Sequence, residues 1–153
     1  MDGQVKVAVL DNSINPEVYD PVSHWKRYLP VPWQAFRAKE GKLPRSNQGF
    51  SHFLLTGSEA SILEHESWVE DEVQLVREAV ERRLAVLGSC YGHQLLAAAL
   101  AGRDHIRRCD QPEMGWLPIR LLRPSRLLGK GGNPYSFSVH FDEVVGLEDP
   151  FEV

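Results

Sequence analysis

The sequence predicts an α/β fold: an open, mostly parallel sheet with helices on both faces, followed by a C-terminal antiparallel β ribbon. Three observations carry this. Short β-rich apolar runs alternate with helical patterns through the first two thirds of the chain. The apolar residues of the longest such pattern recur at helical spacing. From Cys109 onward the pattern changes to two β-like runs separated by a glycine-rich turn. The chain has 153 residues, enough for one domain with a substantial core, so a single domain over 1–153 is expected.

The elements follow in order. "VKVAVL" (Val5–Leu10) reads as a buried strand. The segment from Asp11 to Asn47 holds five of the ten prolines and the tryptophans Trp25 and Trp33. It reads as a long surface excursion around a further short helix or strand. "FSHFLLTG" (Phe50–Gly57) reads as a strand ending in a glycine turn, and "LAVLGS" (Leu84–Ser89) as the next strand. Between them "SWVEDEVQLVREAVERR" places Val69, Val73, Val76 and Val80 at helical spacing, with Ser67 and Glu70 spaced as a capping box. "GHQLLAAALAG" is a strong helix former that Gly102 stops. "EMGWLPIRLL" and "YSFSVHFDEVVGL" make the ribbon, with "GKGGNP" turning between them. There is no internal repeat and no low-complexity tract.

Composition narrows the classes of function. The formal net charge is −4, so no basic field points to a nucleic-acid partner. The crowding of Arg120, Arg123, Arg126 and Lys130 lacks interleaved aromatics and reads as a solvated surface. No apolar run approaches the ~20 residues of a membrane span, and the N-terminal residues lack a signal-peptide pattern. Cys90 and Cys109 form neither a disulfide framework nor a zinc pattern, which favours a reducing, cytoplasmic compartment. His65-Glu66 has no second histidine four positions on, so no zinc helix is expected, and no metal or cofactor is implied.

The chemistry concentrates in "VLGSCYGHQLLAAALAG". Gly88, Cys90 and Gly92 form Gly-x-Cys-x-Gly where a strand gives way to a helix. That is a nucleophile elbow with sulfur as the nucleophile. A sharp turn needs small neighbours two positions either side. The thiol would project from the C-terminal edge of the sheet, where open α/β sheets bind ligands. It would also sit at a helix N-terminus, which lowers a thiol pKa, with the Tyr91 N–H facing a developing oxyanion. An inert packed thiol is the alternative for an isolated Gly-x-Cys-x-Gly. The strand before and the helix after favour the elbow.

"GSCYGHQ" resembles the Gly-x-Cys-x-Gly-His-Gln signature of class I (triad-type) glutamine amidotransferases. "FLLTGSEASI" resembles the strand and turn that supply the family's second oxyanion N–H. "EMGW" resembles a strand motif of stand-alone members similar to the amidotransferase domain of GMP synthase. "HFDEVVGLEDPFEV" resembles the internal His-x-Asp-x-Val segment. The resemblance implies a flavodoxin-like sheet and glutamine as substrate. Cys90 would attack the side-chain amide, with oxyanion N–H groups from Ser58 and Tyr91. Gly57, Gln94, Val139 and His140 would lie around the bound glutamine. A synthetase or other acceptor enzyme would take the ammonia, with no cofactor. One departure stands out: the family's turn is Gly-Gly-Pro or Gly-Ser-Pro, and here it is Gly57-Ser58-Glu59.

A cysteine nucleophile needs a base, and the base needs an orienting group. The family's His-Pro-Glu motif is not in this sequence. The resemblance therefore implies a domain whose C-terminal part is missing, weakly active or inactive alone, with an apolar face left open to homo-oligomerisation. His140 is a substitute, since Asp142 two positions on would share its strand face and could orient it. The other expectation for His140 is a structural or substrate contact. His93 is expected to pack or cap, Cys109 to join a satellite core, and Trp116 to pack. Two further readings stay open: a degenerate, non-catalytic binding or regulatory module, and a relative that hydrolyses γ-glutamyl or peptide bonds.

Overall fold

The computed structural model describes residues 5–45, 49–64, 66–121, 124, 129 and 132–151. In chain order the main elements are β1 (Val7–Asp11), α1 (Pro21–Trp25), β2 (Trp33–Arg37), β3 (His52–Leu55), α2 (Ser67–Glu81), β4 (Ala85–Gly88), α3 (Tyr91–Leu100), β5 (Ile106–Pro118) and β6 (Tyr135–Val144). The first four strands form one parallel sheet in the order β2-β1-β3-β4, and β5 and β6 form a separate antiparallel pair.

Strand alternation divides the core between the two sheet faces. Val7, Val9 and Leu54 point to one side, against Val22, Trp25 and Leu29 of the α1 region. Ala8, Leu10, Phe53 and Leu55 point to the other, against α2 and α3. Helices thus cover both faces, and the central strand β1 is buried along its whole length. All four strands run the same way, so their C-terminal ends share one edge of the sheet. There β3 runs into Thr56-Gly57 and β4 into Ser89-Cys90.

Several expectations change. The 11–47 segment holds both a short helix, α1, and a strand, β2, and β2 joins the sheet by pairing with β1 in parallel register from Val7↔Trp33 to Asp11↔Arg37. Ser67 does not cap α2. The N-cap is Glu66, with no side-chain cap bond, and the Glu70 carboxylate pairs instead with Arg103. The buried stripe of α2 is Trp68, Val69, Glu72, Val73, Leu75, Val76 and Ala79. Val80 lies at its rim and is 37 % exposed. Helix α3 ends at Leu100, and Gly102 takes φ +114 just beyond it, as a helix stop requires.

The ribbon also departs from expectation. Cys109 lies half-buried within the register shift between Arg108 and Glu113, in neither core cluster. Trp116 does not pack into the interior. It is 70 % exposed, its ring edge-on to Phe137 at 5.6 Å. The pairs Met114↔Val139, Trp116↔Phe137 and Pro118↔Tyr135 put the apolar side chains on one ribbon face. The other face is tied to the parallel domain by Asp142, so the apolar face turns outward. Of the crowded basic residues, Arg120 is exposed, while Arg123, Arg126 and Lys130 lie outside the described residues, as do His65 and part of the "GKGGNP" turn. No helix among the described residues is long and apolar enough to cross a membrane.

Candidate active site

Cys90 lies between β4 and α3 with φ +52 and ψ −112, an unfavourable conformation for a residue with a side chain. The two glycines around it are sterically required. A Cβ at Gly88 would sit 2.3 Å from the Gly92 carbonyl oxygen, and one at Gly92 would sit 2.2 Å from the Leu55 carbonyl oxygen. Backbone bonds lock the turn. Ser89 N donates to Leu55 O (3.0 Å), and Gly92 N is shared between Thr56 O (3.1 Å) and Ser89 O (2.9 Å). His93 N and Gln94 N donate back to Cys90 O. The thiol stands at the exposed C-terminal edge of the sheet.

The turn after β3 forms the adjacent wall. Thr56 anchors it: its hydroxyl receives Asn12 N (3.0 Å) and donates to Gly57 O (3.0 Å). Gly57 is buried, and a Cβ there would lie 3.6 Å from the Cys90 Cβ and 2.7 Å from the Tyr19 hydroxyl. The Tyr19 hydroxyl and the Cys90 Cβ thus both face Gly57 of the oxyanion turn. Ser58 Oγ accepts Ala60 N (2.9 Å), which shapes the turn's exit. Where the resemblance leads to expect proline, the Glu59 carboxylate accepts Ile14 N (2.9 Å) and Asn15 N (3.2 Å), clamping the turn to the loop after β1. Beside it Asp11 holds Ser13 and ion-pairs with Arg37 at 2.8 Å.

The ribbon closes the opposite side. The Cys90 thiol is 3.9 Å from the Val139 carbonyl oxygen. Gln94 is buried, and its Nε2 donates to the Asp142 carbonyl (3.0 Å), which ties α3 to β6. The Asp142 carboxylate accepts from the Ser61 hydroxyl and ion-pairs with Arg108 at 2.9 Å. Asp142 therefore does not orient His140. The carboxylate beside His140 is Glu113, its cross-strand partner, with Nε2 to Oε2 at 3.1 Å. His93 is exposed, not packed, and its side chain does not cap α3.

The electrostatics leave the thiol unactivated. Burial pushes the Cys90 pKa up and outweighs the stabilising Tyr91 N–H, and the Asp142 carboxylate pushes it further up. Among the described residues no imidazole or carboxylate is hydrogen-bonded to it. Although His93 is exposed as a whole residue, the protein around its ring partly desolvates the imidazole and lowers its pKa, and the nearby His140 lowers it further. Tyr91, which presents the N–H, is itself deeply buried, stacked on Trp68 at 5.9 Å. Burial, then the Glu72 carboxylate, drives its phenol far up in pKa. No group of three or more His, Cys, Asp or Glu among the described residues could hold a metal ion.

The motif residues Gly57, Cys90, Tyr91 and Val139 converge on one spot, with Ser58 on the adjoining turn. Gln94 braces this spot from below, and His140 is held by the ribbon. Sequence reasoning missed Tyr19, which belongs to no local motif. It treated Glu59 only as a lost proline.

The sequence profile of the family described as Glutamine amidotransferase class-I matches residues 29–153. "Gamma-glutamyl peptidase 4" of Arabidopsis thaliana is 27% identical over 125 residues, covering 76% of this chain and 49% of that protein. The chain thus spans about half the length of the curated relatives it matches. Among solved structures, a glutamine amidotransferase from Methylobacillus flagellatus superposes with a TM-score of 0.71 at 24% identity, over 92% of this chain and 56% of that one. A candidate GMP synthase subunit from Thermoplasma acidophilum gives 0.71 at 19% identity, over 97% and 71%. At these identities the likeness is one of fold: an amidotransferase-type, flavodoxin-like sheet.

Proposed function

Because this chain belongs to the class I glutamine amidotransferase family, we propose that its site binds glutamine and that Cys90 is the acyl-accepting nucleophile. In that reaction the sulfur attacks the side-chain amide carbon. The carbonyl oxygen becomes an oxyanion held by the N–H groups of Ser58 and Tyr91. The C–N bond then breaks, nitrogen leaves as ammonia after taking a proton, and water releases glutamate from the thioester. Ammonia passes to an acceptor enzyme of the synthetase type. The observation that carries this reading is the strained backbone of Cys90 between two glycines that admit no Cβ. With no base hydrogen-bonded to the thiol among the described residues and with its pKa raised, turnover by this chain alone is slow.

The test is a coupled assay of ammonia and glutamate release from glutamine. Slow release is expected, and Cys90→Ala should reduce it to the buffer rate. Release unaffected by Cys90→Ala, or at rates typical of a complete enzyme, would contradict the reading.

A second reading is favoured by the relatives named gamma-glutamyl peptidases. The same acyl chemistry would then act on a γ-glutamyl peptide bond, with an amine in place of ammonia as leaving group. Protection of Cys90 from alkylation by γ-glutamyl peptides but not by glutamine would select it.

A further inference from the structure

We infer that Tyr19 is a substrate-contacting residue, its phenol hydroxyl donating a hydrogen bond to the acyl oxygen of a γ-glutamyl group bound at Cys90. Glu59 is the positioning residue that puts it there. This inference rests on the glutamine site proposed above and adds a side-chain donor to the backbone donors of Ser58 and Tyr91.

A closed circuit of contacts holds the hydroxyl in place. Glu59 follows Gly57-Ser58 in the oxyanion turn, and its two carboxylate oxygens take the N–H groups of Ile14 and Asn15. Asn15 then organises the next turn: its carbonyl accepts both Val18 N and Tyr19 N at 3.0 Å, and its Oδ1 accepts Glu17 N at 3.1 Å. Asp20 caps α1 through Ser23 N at 2.9 Å, which fixes the chain on the far side of Tyr19. The segment thus returns the Tyr19 hydroxyl to Gly57, the residue two before Glu59. There it lies 2.7 Å from where a Cβ would be, with the Cys90 Cβ 3.6 Å from the same point.

Three properties make this hydroxyl a donor to substrate. It has no hydrogen-bond partner among the described residues. The side chain is 38 % exposed, so one edge of the phenol meets whatever enters beside the thiol. Burial, followed by the charges of Cys90, Glu59 and Asp11, raises its pKa, so the phenol stays protonated. A glutamate that reaches across to the loop after β1 also replaces the stiffness a proline would give the turn. The departure from the family's Gly-Ser-Pro pattern thereby acquires a physical role.

The experiment compares two alkylating reagents on the full chain, read by mass spectrometry of the Cys90 peptide. One is a chloromethyl ketone analogue of glutamine, the other iodoacetamide. In the unaltered protein the ketone should label Cys90 preferentially, and free glutamine should slow it. Tyr19→Phe should slow the ketone by about 3- to 10-fold, as loss of one hydrogen bond implies, and leave iodoacetamide within about twofold. Glu59→Ala should slow the ketone similarly, and the double variant should be no slower than either single one. Thermal melts check that each variant is folded. Equal ketone rates for Tyr19→Phe and the unaltered protein would overturn the inference, as would equal slowing of both reagents. No preference for the ketone in the unaltered protein would instead bring down the proposed glutamine site.

Discussion

At the scale of single residues, the site is defined by where side chains are forbidden as much as by where they are present. Gly92 shows this most sharply. Its missing Cβ lets the elbow lie against the end of β3, where Leu55 O would be 2.2 Å from a methyl carbon. The obstacle is backbone and cannot rotate away. Gly92→Ala should destabilise the fold by roughly 1–3 kcal/mol or more, measured by urea denaturation, and should slow alkylation of Cys90 by displacing the turn. Such requirements are legible in sequence because they are local: small residues two positions either side of a nucleophile have one geometric meaning. Tyr19 was not legible. It reaches Gly57 through the fold, and nothing in its neighbours' identities announces that contact. The partner of Asp142 was not legible for the same reason. Strand alternation puts it on the face of His140, but the choice between Ser61 and the imidazole is made by packing.

At the scale of elements, α2 carries an unexpected group. Glu72 is fully buried on the face that packs against α3, and both carboxylate oxygens lack partners among the described residues, as does the nearby Tyr91 hydroxyl. Burial raises the Glu72 pKa well above the ordinary value. The folded state therefore holds this proton more tightly than the unfolded state. The stability linked to it is fully present below the unfolded pKa of 4.5 and is lost as pH rises through the folded pKa. Glu72→Gln removes that loss. It should raise the melting temperature by roughly 3–5 °C at mildly alkaline pH and by less at pH ~4, as calorimetry at the two pH values would show. An unchanged difference between the two pH values would mean that Glu72 is hydrated. The strands β1, β3 and β4 were readable as short apolar runs, α2 by its helical spacing and α3 by its helix-forming residues. β2 was legible only as a further short helix or strand somewhere in 11–47, because an edge strand with Gln34 and Arg37 on it, close behind two prolines, lacks an apolar run. Its pairing is decided by β1, which is buried and apolar throughout.

At the scale of the molecule, two surfaces differ sharply in character. The parallel sheet is covered on both faces, whereas the ribbon presents Met114, Trp116, Tyr135, Phe137, Val139 and Phe141 to solvent. Side chains of this size at these exposures show on the order of 500 Å² of apolar surface, within the range that marks interaction or association. The chain should therefore associate with rising concentration. Light scattering should give a lower mass for a Trp116→Lys, Phe137→Ser double variant than for the unaltered chain at the same concentration. The resemblance implied an apolar face left open on one side of the sheet, whereas the exposed apolar face lies on the ribbon. The ribbon's orientation is set by Asp142, Ser61 and Gln94, contacts made between distant parts of the chain.

These scales meet at the thiol, where a strained elbow, an oxyanion turn and a ribbon carbonyl converge while burial keeps sulfur protonated. The most direct measurement is the pH profile of Cys90 alkylation with and without glutamine, from pH ~6 to ~11, with the Cys109 peptide as internal reference. The account predicts that the rate rises with a midpoint above that of an ordinary cysteine and that glutamine slows Cys90 but not Cys109. A midpoint below neutrality, or labelling of Cys90 that glutamine leaves unchanged, would contradict it.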